Sequence, residues 1–350
     1  MTSTLGHLST AASPSVLVLG GTGFLGRALI QRLLRDGVGL RALTRDPSGP
    51  AKSLAAAGVE VVKGDLCDTA SVQAALGGIR HVYHLARGSG PTWPEYQKRD
   101  VEPTRRLAEL CCARGIGLYY TSSIAIYDGG HKGERITEDT LPSSASTRLN
   151  VYARAKVANE RLLADLHRER GLRVVVFRPG IVIGAGGDPR HPGVGAWPRP
   201  SLCRPWGGGR HSLPFVLVDD CADAMARATQ MPEVAGTSFN LIGDAGLTGN
   251  DYLDALERLA GVVIQRQPYP AWRLFAQSVV KSSLQLLTGR GERLLPSYRY
   301  VDGLSCRASY AADRAKQLLG WRPVTEPAVL IERGIAAALA ESRRDGSATT

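Results

Sequence analysis

Tyr152 and Lys156 stand four residues apart, the spacing that brings two side chains to one face of a helix. Ala155, Ala158, Leu162 and Leu166 form the neighbouring apolar stripe that would bury such a helix. Tyrosine, with an ordinary pKa of about 10, is a poor base near neutrality. A lysine ammonium close by, together with the positive ring of an oxidised nicotinamide, favours the phenolate and brings it into a working range. Upstream, Ser122 and Ser123 close an apolar run and supply a hydroxyl for a substrate oxygen. These residue types suit hydride transfer on or off a carbon that bears oxygen. In that chemistry Tyr152 takes or gives the proton, and Lys156 also holds the nicotinamide ribose. A tyrosine–lysine pair at this spacing occurs by chance in many helices. Its position after a glycine turn and a serine-tipped strand makes it specific.

The glycine turn runs from Gly20 to Gly26 and carries Gly20, Gly23 and Gly26 at its three constrained positions. Glycine there permits a sharp turn, a close approach to a pyrophosphate, and packing of the next helix on the sheet. Phe24 and Leu25 open that helix, whose N-terminal N–H groups and partial positive charge would face the phosphates. The next strand ends in Thr44, Arg45 and Asp46, with Arg41 on the same strand. Thr44 occupies the place where an acidic residue usually accepts the ribose hydroxyls of NAD, and an arginine beside it suits the 2′-phosphate of NADP. The reading favours NADP over NAD, although Asp46 is also within reach of a ribose. Asp65, in Gly64-Asp65-Leu66, is placed either to contact the adenine side or simply to form a turn.

Short apolar runs and helical stripes alternate around these residues. Strands are expected at Val16–Leu19, Leu40–Leu43, Val59–Val62, His81–Leu85, Leu118–Thr121 and Val174–Phe177, with helices near 69–76, 102–114 and 150–170. Leu25, Leu29 and Leu33 share one face of the first helix. Strands apolar on both faces, separated by amphipathic helices, specify a doubly wound α/β domain with a parallel sheet of Rossmann type. After Pro179 the pattern changes. Residues 184–214 are rich in Gly, Pro and Trp, too long for a plain connection, and read as a structured loop facing substrate. Helices follow near 219–230, 250–260, 270–288 and 311–319. The expected organisation is a loose tail over 1–14, a dinucleotide-binding domain over 15–180, a smaller mixed substrate region over 181–340, and a tail over 341–350.

Composition narrows the possibilities. The 350 residues carry a net charge of +11, but the basic residues are scattered without aromatic interleaving, so nucleic acid is not an expected partner. The cysteines (Cys67, Cys111, Cys112, Cys203, Cys221 and Cys306) show no disulfide spacing and fit reduced thiols in a cytoplasmic enzyme. Cys111 shares a stripe with Val101, Thr104 and Ala108, which places it in the core. The seven histidines are dispersed, and no metal site is expected. Residues 1–14 lack a basic start and an apolar core, unlike a signal peptide, and no apolar run reaches the length of a spanning helix. The apolar stretch Trp272–Leu287 reads first as an ordinary packing helix, and secondly as a pocket wall. Lys281, Arg290 and Arg293 add a third possibility, contact with a membrane surface.

The chain resembles the extended short-chain dehydrogenases/reductases of the NAD-dependent epimerase/dehydratase family over roughly residues 15–335. The resemblance rests on the turn at 20–26, Gly64-Asp65-Leu66, His84-Leu85-Ala86 and the run Thr121 to Tyr127. It continues through Tyr152 and Lys156, Arg178-Pro179-Gly180, Val218 to Ala224, and Leu319-Gly320-Trp321-Arg322-Pro323. It implies Ser123, rather than Ser122, as the catalytic serine with Tyr152 and Lys156. It also implies a cofactor site formed by Gly20, Gly23, Phe24, Leu25, Gly26, Arg45, Asp65, Leu66, Ala86, Tyr152, Lys156 and Pro179. Two positions depart from the family pattern: Asp100 stands where asparagine is usual, and Pro103 where glycine is usual. Pro103 is tolerated in a first turn, so its helix should start near Glu102. Gly180 replaces a residue that is often asparagine in sugar-nucleotide epimerases, and Arg-Pro-Gly is similar to hydroxysteroid dehydrogenases and flavonol-type reductases.

The leading expectation is therefore an NAD(P)-dependent dehydrogenase or reductase of an alcohol/ketone pair, assembled as a homodimer. The second is a nucleotide-sugar epimerase or dehydratase with tightly held NAD, for which Arg178, Arg204 and Arg210 would bind a diphosphate. The third is a silent dinucleotide-sensing protein.

Overall fold

All four residues of strand β1 (Val16–Leu19) are buried, because Val16 and Val18 pack into one core while Leu17 and Leu19 pack into another on the opposite face. The computed structural model describes residues 13–127, 133–142, 150–267, 270–288 and 308–344. From β1 the chain alternates through α1 (Phe24–Arg35), β2 (Leu40–Thr44), α2 (Ala51–Ala56), β3 (Glu60–Lys63), α3 (Thr69–Ala75) and β4 (His81–His84). It continues through α4 (Trp93–Tyr96), α5 (Glu102–Arg114), β5 (Gly117–Thr121), β6 (Arg135–Ile136), α6 (Val151–Arg170) and β7 (Val174–Pro179).

The boundaries follow local chemistry. Asp68 accepts N–H bonds from Ala70 and Ser71 to start α3, and Asn150 accepts from Ala153 to start α6. Gly115 and Gly171 end α5 and α6 in the left-handed conformation that favours glycine. Pro103 lies in the first turn of α5, as a residue without an N–H requires. The preceding chain is nevertheless helical. A capping box of Thr92 and Glu95 starts α4, and a wide π-helical turn over Gln97–Val101 joins it to α5. The widened turn also brings Asp100 inside.

The second half supplies β8 (Ile181–Ile183), β9 (Gly195–Arg199), β10 (Leu202–Pro205), β11 (Phe215–Leu217), α7 (Val218–Ala228), β12 (Ser238–Leu241) and α8 (Gly249–Ala260). Then come β13 (Gln265–Arg266), α9 (Ala271–Thr288), β14 (Ser309–Tyr310) and three further helices, Asp313–Leu319, Pro327–Ile331 and Ala337–Arg344. The main sheet has seven strands in the order β12-β7-β5-β4-β1-β2-β3, every pair parallel. It is the doubly wound Rossmann-type sheet. Strand order reverses between β1 and β4, opening a crevice at their carboxyl ends where ligands bind in such sheets.

Beyond residue 180 the chain serves two purposes. β12 extends the sheet next to β7, and α7 covers the core around β1, with Tyr83 Oη donating to the Met225 carbonyl at 2.7 Å. The remainder builds a separate core from β8, β11, α8, Cys203, Val194 and Ile335. The late run Leu319 to Pro323 folds onto α7. Trp321 Nε1 donates to the Asp220 carbonyl at 2.8 Å, and Asp220 Oδ2 accepts from Val324 N at 2.9 Å.

Cys111 is fully buried, as its stripe predicts. On α9, Trp272, Val280 and Leu284 are more than half exposed. Among the described residues no helix is long and apolar enough to cross a membrane. Residues 1–12, Arg290, Arg293, Cys306 and the tail 345–350 lie outside the described residues.

Candidate active site

At the end of β1 the backbone turns through Gly20 with φ +84° and presses against β4, where a Cβ on Gly20 would come within 2.7 Å of Ala86 N. Gly26 has no room for a side chain against the Gly20 carbonyl, so α1 starts hard against the turn. Gly23, exposed, is the N-cap of α1 and offers no side chain of its own. The first-turn N–H groups of Phe24, Leu25 and Gly26 therefore face outward at the crevice with no capping oxygen, which fits an anionic ligand. Leu66 and Ala86 sit partly buried along the same core face as Leu19 and Leu43.

At the strand tips the arginines divide. Arg41 makes a double ion pair with Glu60 (2.9 and 3.0 Å) and also donates to the carbonyls of Ala75 and Gly77. It holds the sheet edge, so its contribution to cofactor choice is withdrawn. Arg45 is exposed at the tip of β2. Asp46 Oδ1 accepts from Ser48 N at 2.8 Å, and Ser48 holds its carboxyl below the usual range. Asp65 Oδ1 accepts from Cys67 N at 2.9 Å, so it does form a turn.

At the chemical end, Tyr152 and Lys156 lie one turn apart on α6, beside the carboxyl end of β5. Ser123 follows β5 and caps a short helical turn, its Oγ accepting from Ala125 N at 3.2 Å. Burial pushes the Tyr152 phenol above its ordinary value; the Ser123 hydroxyl and the Arg87 guanidinium oppose that, and Asp100 and Tyr96 add to it. The Lys156 ammonium, expected to favour the phenolate, is itself bonded to two other groups. Lys156 Nζ donates to the Thr121 carbonyl at 2.8 Å and to Tyr120 Oη at 3.1 Å, and lies 5.8 Å from the Tyr152 ring centroid. Burial lowers Lys156 to about 8, while Asp100 and Glu160 hold it up.

A buried network that no motif announced lies behind the lysine. Asn159 Nδ2 donates to Tyr120 Oη at 2.8 Å and to Asp100 Oδ1 at 2.6 Å. Asp100 Oδ2 accepts from Gly88 N at 2.6 Å, and the Asp100 carbonyl accepts from Thr104 Oγ1, which meets His84 Nε2 at 2.9 Å. Below it, Arg178 forms an ion pair with Glu160 at 2.7 Å with both side chains at most 7% exposed, and donates to Tyr127 Oη and the Glu138 carbonyl. Arg178 is therefore spoken for and does not reach a diphosphate. Arg204 bonds Gln267. At Gly180 a Cβ would collide with the Pro214 carbonyl, so an asparagine side chain cannot stand there.

A family profile described as the NAD dependent epimerase/dehydratase family matches residues 16–241. The chain belongs to that family. A 2-alkyl-3-oxoalkanoate reductase of Shewanella oneidensis is 26% identical over 333 residues, covering 91% of this chain and 84% of the relative. An uncharacterized Sinorhizobium fredii protein, y4nG, is 32% identical over 225 residues, or 62% of this chain and 54% of its own length, so this chain spans about half of that relative. Among solved structures, the UDP-glucuronic acid 4-epimerase from Bacillus cereus in complex with NAD has a TM-score of 0.71 at 20% identity, covering 94% of this chain and 99% of that one. That likeness is one of fold.

Family membership makes NAD-type dinucleotide the cofactor class, and the glycine cradle suits it. Thr121 Oγ1 and Ser122 Oγ are buried without hydrogen-bond partners among the described residues. Against the family pattern, Asp100 takes the place of asparagine and accepts from two N–H donors. Asn159 is one of them, so the two residues form a matched pair. Sequence reasoning missed Tyr120, Asn159 and Arg87. For Tyr120 and Asn159 the available signal was polar character at positions where a strand or helix should be apolar, and loop residue Arg87 gave none.

Proposed function

We propose that the protein is an NADP(H)-preferring dehydrogenase/reductase interconverting a secondary alcohol and a ketone. The observation that carries the reading is the placing of Tyr152 beside Ser123 and one helical turn from buried Lys156, at the carboxyl edge of the sheet. In reduction, bound dinucleotide supplies hydride to the carbonyl carbon. Ser123 orients the carbonyl oxygen, and Tyr152 gives its proton to the forming alkoxide. A phenol raised by burial is the protonated form that this step needs. In oxidation the proton returns to Tyr152. Lys156 is the residue for the nicotinamide ribose, and Gly20, Gly23, Phe24, Leu25, Gly26, Asp65, Leu66, Ala86 and Pro179 are assigned to the rest of the dinucleotide.

Arg45, exposed and beside Thr44, supports NADP through its 2′-phosphate. The withdrawn Arg178 and the blocked Gly180 favour this reading over nucleotide-sugar epimerisation. The name of the Shewanella relative, a reductase of a 3-oxo acid, points the same way. The test is turnover and affinity in purified protein. Tyr152→Phe should bind dinucleotide as wild type does and lose about 10²–10⁴-fold in turnover. NADP should bind more tightly than NAD and exchange freely. A folded Tyr152→Phe protein with normal turnover, or tightly retained NAD that reduces and reoxidises in place, would end the reading.

A further inference from the structure

Arg87 follows Ala86 on the loop after β4 and is exposed, yet its guanidinium carbon lies 5.8 Å from the centroid of the Tyr152 ring. Among the described residues no carboxylate comes within ion-pair distance of it. An arginine on the open surface usually has only water around it, and this one lies within cation–π range of the proton-transferring group.

The backbone accounts for its placement. Gly88 presses against the π-helical turn, where a Cβ would come within 2.7 Å of the Arg99 carbonyl and 2.8 Å of Asp100 Cβ. Gly88 N is bound by buried Asp100, whose other oxygen is bound by Asn159 of α6, the helix that carries Tyr152. The loop bearing Arg87 and the helix bearing Tyr152 are thus tied to the same carboxylate. That arrangement fixes the backbone origin of the arginine relative to the reacting group, and its exposed planar donor fork is left without an ion partner among the described residues.

We infer that Arg87 binds a carboxylate of the substrate, placed a few bonds from the carbon that exchanges hydride, so that the substrate class is a hydroxy acid/oxo acid pair. The inference rests on the alcohol/ketone reading and narrows it. Guanidinium and carboxylate match in a two-pronged, charge-assisted geometry. With its guanidinium carbon 5.8 Å from the Tyr152 ring centroid, Arg87 would hold an anion near the reacting group. A nucleotide diphosphate would lie a whole sugar ring away from that oxygen. A cation here also opposes the burial that raises Tyr152, so a bound carboxylate, by offsetting that cation, would keep the phenol protonated for reduction.

The experiment compares β-hydroxydecanoate with its methyl ester, oxidised by NADP⁺ and followed at the nicotinamide absorbance, in wild type, Arg87→Gln and Arg87→Lys. Hydrogen bonds to charged groups set the scale. Wild type should prefer the acid, and Arg87→Gln should lower the acid-to-ester ratio of kcat/KM by about tenfold to a hundredfold, mainly through KM for the acid. Arg87→Lys, which keeps the charge without the fork, should recover part of that ratio. Equal losses on acid and ester would overturn the inference and leave Arg87 acting on Tyr152 alone. Weakened NADP⁺ affinity with an unchanged ratio would overturn it in favour of a cofactor phosphate. Wild-type preference for the ester or for a neutral alcohol such as 2-decanol would overturn it while the alcohol/ketone reading stands. Failure of wild type to oxidise any of the three compounds would count against both.

Discussion

Lys156 is the residue whose behaviour most depends on what surrounds it. Its side chain is 4% exposed and its value is lowered to about 8 from an ordinary 10.5. Between those two values the unfolded chain holds more protons than the folded one, so this group makes stability rise with pH across that window. Below about 8 both states are protonated, and the cost of burying the ammonium is constant. Lys156→Met removes the dependence. The difference in Tm between Lys156→Met and wild type should therefore shift in favour of wild type as pH rises from 8 towards 10.5. A constant difference across that range would show that burial does not lower this lysine. The same variant should lose turnover and dinucleotide affinity together, because the ammonium is assigned to the ribose as well as to the site.

Among the elements, the π-helical turn between α4 and α5 does the most for the site. An ordinary turn would carry Asp100 on a different face; the widened one sets it between the loop at Gly88 and Asn159 of α6. Both neighbours donate to it. Asparagine at position 100 can accept from only one of them and turns its own amide hydrogens towards the other. Asp100→Asn should cost about 1–3 kcal/mol in urea denaturation, the range for a buried donor left without its acceptor. The cost should shrink in an Asn159→Ala background, where one of the competing donors is gone. Equal costs in both backgrounds would show that the two residues act independently.

For the molecule as a whole, the Arg178–Glu160 pair anchors a buried chain of hydrogen bonds that reaches from the first half into the second. Glu160 belongs to α6 and Arg178 to β7. Arg178 also meets Tyr127, which donates to Asn240 Oδ1 on β12 at 3.0 Å, and Asn240 Nδ2 in turn donates to the Ala311 carbonyl. A buried pair gives little net stability over apolar residues of the same volume, but breaking it leaves a charge without water or partner. Arg178→Met should lose about 3–5 kcal/mol of unfolding free energy for that reason. A loss below about 1 kcal/mol would mean that Glu160 finds another partner or takes up a proton. The network packs directly below Lys156, so the variant should also disturb turnover.

The sequence by itself determined the parallel sheet, the glycine turn and the placing of Ser123, Tyr152 and Lys156. Each depends on short spacings: two faces of a strand, 3.6 residues per helical turn, and a strand followed at once by glycines. β1 at Val16–Leu19 and α3 near 69–76 were legible for that reason. Tertiary structure alone decided which polar groups meet. Asp100 and Asn159 are 59 positions apart and Tyr127 and Asn240 are 113 apart, and periodicity carries no information about such partners. Arg41 and Arg178 looked available for phosphate because their residue type permits it. Ion pairs with Glu60 and Glu160 use them for structure. Arg87 looked like any surface arginine until the clamp on Gly88 placed it over Tyr152. The energy of a buried charge depends on distance and on exclusion of water, and both exist only once the chain has folded.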